Sequence, residues 1–300
     1  MAGIDLNRTS AGVAELLPRE VSQEIWANAV EESAIMRASR QISIPGSGVT
    51  IPIITGDATA DWVNETEEKP VSNATVSSKV LTPYKLAVIE PFSDEFRRDL
   101  PGLYAELARR LPSALGRKFD STILNGTAPG SGFDVLTNST AVAVDGDDVV
   151  DDLANVLSTV NIAGGDLSHW LVSPQLEGKL TVAKDPGTGS YAFLRDARTD
   201  TGAIGSIFGR DVLKSKALYD GDATPPVLGA AGDFANSAIF GTVEGIKVDI
   251  SDQASITHPT EGQINLWQRN MFAIRAEVEV GFIVRDPAHF VKLTEDASGS

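Results

Sequence analysis

The run Met271-Phe-Ala-Ile-Arg-Ala-Glu-Val-Glu-Val-Gly-Phe-Ile-Val284, continued by Arg285-Asp-Pro-Ala-His-Phe-Val291, decides the fold of this chain. Phe272, Ile274, Ala276, Val278, Val280 and Phe282 alternate with Arg275, Glu277, Glu279 and Gly281. Successive side chains of a strand point to opposite faces, so this period of two predicts one long half-buried strand with a charged outer face. The chain turns back through Arg285 to His289 into a second short strand, Phe290 to Leu293. A strand of that length needs partners, and the upstream sequence has to supply them.

Its largest upstream partner is helical. Leu103, Leu107, Leu111, Leu115, Phe119 and Ile123 recur at a spacing of four, after Asp99 as N-cap and Pro101 in the first turn, and Asn125-Gly126 ends the run. Four residues turn a helix by about 400°, so the stripe drifts by about 40° per step. Such a helix must kink or be buried on more than one side, and Pro112 in mid-run predicts the kink.

Before this helix, Ile42, Ile44, Val49, Ile51 and Ile53 alternate with polar residues and prolines, and a second alternating run covers Val76 to Ile89. These read as a long β-hairpin, out along Ile44 to Ile54 and back along Thr75 to Val88, with Trp62 in its polar tip. Pro45 and Pro52 lack a ladder donor and confine these strands to an edge. Pro18 to Met36 reads as an amphipathic helix opened by its proline, within an arm too poor in apolar residues to fold alone. Downstream, a helix begins at the aspartate cluster after Asp145 and runs through Val160, its acids capping the helix dipole. His169 to Ser173 reads as a strand and Pro174 to Lys184 as a helix, followed by a polar loop at 185–204. Short strands are expected at Val212 to Lys214, Ser237 to Gly241, Ile246 to Ile250 and Asn265 to Gln268.

Composition excludes several functions. With 25 Lys and Arg against 41 Asp and Glu, the formal charge is −16. Duplex affinity rests on cations meeting phosphates, so nucleic-acid binding is not the main activity. The absence of cysteine removes disulfides, thiol nucleophiles and cysteine-based metal sites, and fits synthesis in a reducing cytosol. No run reaches the roughly 18 apolar residues of a membrane helix, and no signal peptide is evident. His169, His258 and His289 are scattered without acidic residues at ligand spacing, and each reads as an ordinary packed or exposed histidine. The Gly187-Thr-Gly189 pattern follows a helix and a proline rather than a strand, so the phosphate-cradle context is missing. No catalytic residue, metal site or cofactor is therefore expected. An acid-pair hydrolase stands only as a minor alternative.

The order of parts resembles the major capsid proteins of tailed bacteriophages, in the Hong-Kong-phage-type fold shared with encapsulins. The resemblance rests on the arm helix Pro18 to Met36; the hairpin tip Ala60-Asp-Trp62-Val63-Asn-Glu65 with Lys69-Pro70; Leu81-Thr-Pro-Tyr-Lys85-Leu-Ala87 leading into Ser93-Asp-Glu95; and the long helix ending Ile123-Leu-Asn-Gly126. It extends through Trp170-Leu-Val-Ser-Pro174 to the closing Arg275 to Val291 segment, and so covers nearly the whole chain. It implies an α+β subunit with an N-terminal arm (1–40), an E-loop hairpin (41–87), a P-domain with a kinked spine helix (88–140 and 270–300) and an A-domain (141–269). It further implies a non-enzymatic protein that assembles with itself as pentamers and hexamers into an icosahedral shell around double-stranded DNA. Scaffolding and portal proteins would be its partners, the host cytoplasm its place of assembly and the virion its location; an encapsulin-like compartment is the alternative. Contacts between subunits would fall on Trp62, Val63, Glu65 and Lys69 at the hairpin tip and on Ile25 and Trp26 of the arm. Some members of the family join subunits by a lysine–asparagine bond, for which Lys69 and Lys79 are the hairpin lysines. Because Met1 stands close to the arm, a scaffold from a separate gene is expected.

Overall fold

The computed structural model describes residues 19–54, 60–65, 68–69, 71, 76–95, 100–144, 148–184, 205–258, 260 and 262–296. Arm residues 1–18, the loop at 185–204 and part of the hairpin tip lie outside them. In chain order the elements are α1 (Arg19–Glu32), α2 (Ala34–Ala38), β1 (Arg40–Ser43), β2 (Val49–Ile54), β3 (Val76–Leu81), β4 (Tyr84–Ser93), α3 (Leu100–Asn125), β5 (Thr140–Ala143), α4 (Val149–Ile162), β6 (His169–Val172) and α5 (Pro174–Val182). They continue as β7 (Ser206–Ile207), β8 (Arg210–Lys214), β9 (Val227–Gly232), α6 (Phe234–Ser237), β10 (Ala238–Thr242), β11 (Lys247–Ser251), β12 (Ser255–His258), β13 (Gly262–Asn265), β14 (Met271–Val284) and β15 (Phe290–Thr294). The chain divides into two compact units.

The first unit comprises Met1–Arg37, Lys85–Asp120 and Glu244–Glu279. Here the N-terminal half of β14 pairs antiparallel with β11, from Lys247↔Glu277 to Ser251↔Ala273, and β4 also pairs with β14. The alternation read from the sequence is realised: Phe272, Ile274, Ala276 and Val278 are buried. On the opposite face Arg275 donates to Asp249 at 2.8 Å, and its Nε lies 3.3 Å from Glu277. That guanidinium bond, assisted by Lys247, outweighs the small cost of burial and holds the Asp249 carboxyl below its usual range. Asn265 to Gln268 is not the strand its polarity pattern suggested. β13 stops at Asn265, and Trp267–Arg269 form a single 3-10 turn closed by Asn270 at φ 51°, a left-handed conformation that asparagine tolerates.

Helix α3 runs through Pro112 without interruption. Leu111, Leu115, Phe119 and Ile123 are buried, and so are Asp120 and Leu124. The drifting stripe is thus met by burial over an arc of roughly 220°. The side chains of Leu103 and Leu107 lie outside the described residues.

The second unit comprises Ala38–Tyr84, Ser121–Val243 and Val280–Ser300. Its six-stranded sheet has the order β5-β15-β9-β6-β8-β7. Packed on it are α4, which buries Leu153, Val156 and Val160, and α5, which buries Leu176 and Leu180. Asp148, in the aspartate cluster read as capping, accepts the Asp151 N–H, and Ser173, read as the end of a strand, caps α5 by accepting the Leu176 N–H. Trp170 is fully buried, its indole N–H donating to the Ile207 carbonyl at 3.1 Å. β15 lies in this sheet, parallel to β5 and antiparallel to β9. The reason is the continuous apolar character of Phe290, Val291 and Leu293, which suits an interior strand of a covered sheet.

A smaller arrangement in the same unit sets the hairpin. β1 pairs parallel with β10, and β10 pairs antiparallel with the C-terminal half of β14, with Gly241 opposite Gly281. β2 and β3 form the hairpin in unbroken register, Val49↔Leu81 to Ile54↔Val76. It is shorter than the alternation suggested at both ends. Ile42 belongs to β1, and Pro83, without an N–H, ends the return strand before β4 restarts at Tyr84.

Candidate assembly site

The hairpin is held by its root, and four features of the second unit make that root rigid. The first is a slot of two glycines. A Cβ on Gly241 would meet Leu81 Cδ2 at 3.1 Å and Ile44 Cγ2 at 3.0 Å; one on Gly281 would meet Leu81 Cδ1 and the Thr82 carbonyl oxygen, each at 2.8 Å. Leu81 fills the space these absent methyls leave and has no exposed surface, within a cluster containing Ile44 and Ile283. The second is a charged staple. Lys79 Nζ donates to Asp134 Oδ2 at 2.7 Å and to the Val284 carbonyl at 2.8 Å, while the Val284 N–H donates to the same Asp134 oxygen at 3.0 Å.

The third is a backbone bond from the Thr82 N–H to the Gly132 carbonyl at 2.9 Å, in a loop where Gly132 takes φ 77°. The fourth is Tyr84, whose hydroxyl donates to the Ser131 carbonyl at 2.7 Å and whose ring meets Phe133 edge-on. The segment Ser131-Gly-Phe-Asp134 is therefore the clamp on the return strand, a role that its sequence alone does not disclose.

At the other end of the hairpin the described tip residues stand in solvent. Trp62 is 103% exposed and Val71 89%, and Val63, Glu65 and Lys69 are exposed as well. Burying a tryptophan is among the largest apolar gains a side chain can give, and Trp62 leaves that gain unused within the subunit. Of the two hairpin lysines, Lys69 is in solvent and Lys79 is engaged in the root staple. In the arm, Trp26 is half-buried on α1, whereas the side chain of Ile25 lies outside the described residues.

The first unit carries a second feature that the sequence did not disclose. The arm helix is interrupted at Ser33, and the Asp120 carboxylate of α3 enters the break. It accepts Ser33 Oγ–H at 2.6 Å, Ala34 N–H at 3.0 Å and Ile35 N–H at 3.3 Å, and Ser33 Oγ in turn accepts Met36 N–H at 3.1 Å. Both Ser33 and Asp120 are fully buried. One turn earlier on α3, a Cβ on Gly116 would stand 3.1 Å from the Ala29 carbonyl and 3.2 Å from the Ser33 nitrogen, so the arm backbone lies directly on the helix there.

Among the described residues no three of His, Cys, Asp and Glu are placed to hold a metal ion, and no helix is long and apolar enough to cross a membrane. His289 is buried with its Nδ1 2.7 Å from Ser237 Oγ, and Ser237 donates to Asp233 at 3.2 Å. The serine stands between the other two, whereas nucleophilic catalysis needs the imidazole in the middle.

A hairpin clamped at its root, an arm helix seated on a long helix and mixed sheets are the parts of the Hong-Kong-phage-type capsid fold, the fold of phage shell subunits. The chain belongs to the phage capsid family, which it matches over residues 14–294. It is 32% identical to the probable major capsid protein gp17 of Mycobacterium phage L5, covering 93% of this chain and 89% of that one. Against the protein of the same name from Mycobacterium phage D29 it is 30% identical, covering 94% and 91%. A solved chain from Gordonia phage Cozz shares the fold with a TM-score of 0.69 at 24% identity, covering 89% of this chain and 87% of that one.

Proposed function

We propose that this chain is the major capsid protein of a tailed phage, a structural component of the virion that assembles with copies of itself into the icosahedral shell. The observation that carries this is the hairpin: an in-register ribbon clamped at its root by Leu81, Lys79 and Tyr84, with Trp62 and Val71 held in solvent at its tip. A two-stranded ribbon is marginal in water alone, so its exposed apolar end is satisfied by lying on a neighbour. Pentamers and hexamers are the rings it builds, and the space they enclose holds double-stranded DNA. A subunit of charge −16 suits that role, because it repels rather than grips the phosphate backbone. Scaffolding and portal proteins direct closure. In this reading residues 1–40 are the arm, 41–87 the E-loop, 88–140 with 270–300 the P-domain, and 141–269 the A-domain. Any covalent lysine link between subunits falls to Lys69.

Expression of the chain alone and with its scaffold, followed by light scattering and negative-stain imaging, tests the proposal. Closed particles or rings of five and six are expected, and removal of 56–73 should leave folded subunits that form none. Normal shells from the deletion would refute the role given to the hairpin. Particles that package protein and no nucleic acid would favour an encapsulin-like compartment instead.

A further inference from the structure

The contact between the arm and α3 contains a puzzle. The buried stripe of α3, Leu111, Leu115, Phe119 and Ile123, repeats every four residues and presents much the same apolar surface at each turn. An arm helix carrying small and apolar residues, here Ala29, Ala34, Ile35 and Met36, would bury comparable area if displaced by one turn along it. Hydrophobic burial is non-directional and does not choose between such registers. A buried carboxylate adds little net stability for its desolvation, and the best-attested use of a lone buried polar group is to fix register.

We propose that Asp120, acting through Ser33, is a register pin that selects the single seat of the arm helix on α3. The three bonds reaching the carboxylate come from consecutive residues, Ser33, Ala34 and Ile35, and so fix both the rotation and the translation of the arm. Only at Ser33 is the helix opened to offer two free N–H donors, since Ser33 N–H still bonds the Ala29 carbonyl and Arg37 N–H the Ser33 carbonyl on either side. A one-turn slide would bury Asp120 against closed helix and break its three bonds to the arm. Gly116, on the same face one turn earlier, admits the arm backbone at that one position. Asp120 and Ser33 are thus positioning residues. They determine where the N-terminal end of α1 stands, at some expense to the stability an apolar pair would give.

The absence of cysteine allows a direct test. Spin labels on Ala27→Cys and Arg117→Cys, both at exposed positions of this unit, report the arm-to-helix distance by double electron–electron resonance, with labelled chains diluted in unlabelled ones. The parent should give one narrow distance. The pair Ser33→Ala with Asp120→Leu should keep cooperative unfolding at an equal or higher midpoint, yet split the distribution into populations separated by about one helical pitch, 5.4 Å. A single unchanged distance would overturn the proposal and reduce the pair to an ordinary cap. Should the double variant not fold, Asp120→Asn, which keeps one acceptor oxygen, should broaden the distribution with the protein folded. An unbroadened peak there is equally fatal. Both readouts concern the subunit and do not depend on whether shells form.

Discussion

Replacing Leu81 by alanine should loosen the hairpin more than its size suggests. Leu81 is fully buried, and two of its neighbours, Gly241 and Gly281, are glycines with no side chain to move into the vacated space. Leucine-to-alanine substitutions in cores cost about 2–5 kcal/mol, the higher values where the site cannot collapse, so about 4 kcal/mol is expected here. With an unfolding entropy of about 2.1 cal/mol/K per residue, that lowers the midpoint of a chain this long by about 6 °C, measurable by scanning calorimetry.

The geometry of the slot adds a stricter test. A methyl at Gly241 would meet only side-chain atoms, of Ile44 and Leu81, whereas one at Gly281 would also meet the Thr82 backbone carbonyl. Gly241→Ala should therefore be partly rescued by Leu81→Ala, with a coupling on the order of 1 kcal/mol, and Gly281→Ala should not. Strict additivity of Leu81→Ala with Gly241→Ala, or a cost for Leu81→Ala below about 1 kcal/mol, would refute the slot as the anchor of the hairpin.

Other consequences are simpler to measure. Asp134→Ala leaves the Val284 N–H unpaired and Lys79 with the Val284 carbonyl but no carboxylate, and should cost about 1–2 kcal/mol and speed proteolysis within the hairpin; Lys79→Met, which leaves the Asp134–Val284 bond intact, should cost less. Trp62→Ala should move the thermal midpoint by no more than about 1 °C, as for a surface change, while abolishing or coarsening assembly in light scattering. Asp249, held below its usual range by Arg275, contributes its stabilisation above about pH 4 and loses it as pH falls through the depressed value. In a carboxyl NMR titration its midpoint should lie below that of ordinary aspartates and rise in Arg275→Gln; an unmoved midpoint would remove the ion pair from the account.

How much of this was legible depends on how far apart in sequence the causes lie. β14 could be read because its outer face is charged and its inner face apolar, so the period of two is plain. β9, Val227-Leu-Gly-Ala-Ala-Gly232, gave no such signal: every residue is buried between β15 and β6, and its glycines and alanines leave room for close neighbours rather than an alternating pattern. The arm helix was visible from its apolar stripe, but its interruption was not, because the group that opens it, Asp120, lies 87 residues from Ser33. Lys79 looked like any hairpin lysine until Asp134, 55 residues on, and the Val284 carbonyl were found beside it. The exposure of Trp62 is easier to anticipate, since its neighbours in sequence are mostly polar.

If this chain is completed only by its neighbours, the mass of the particles it forms will show it. Multi-angle light scattering on the purified chain, co-expressed with its scaffold, should show closed particles of megadalton mass or rings of five or six subunits. A stable species of 31.7 kDa under those conditions, with Trp62 open to oxidation, would contradict completion by neighbours.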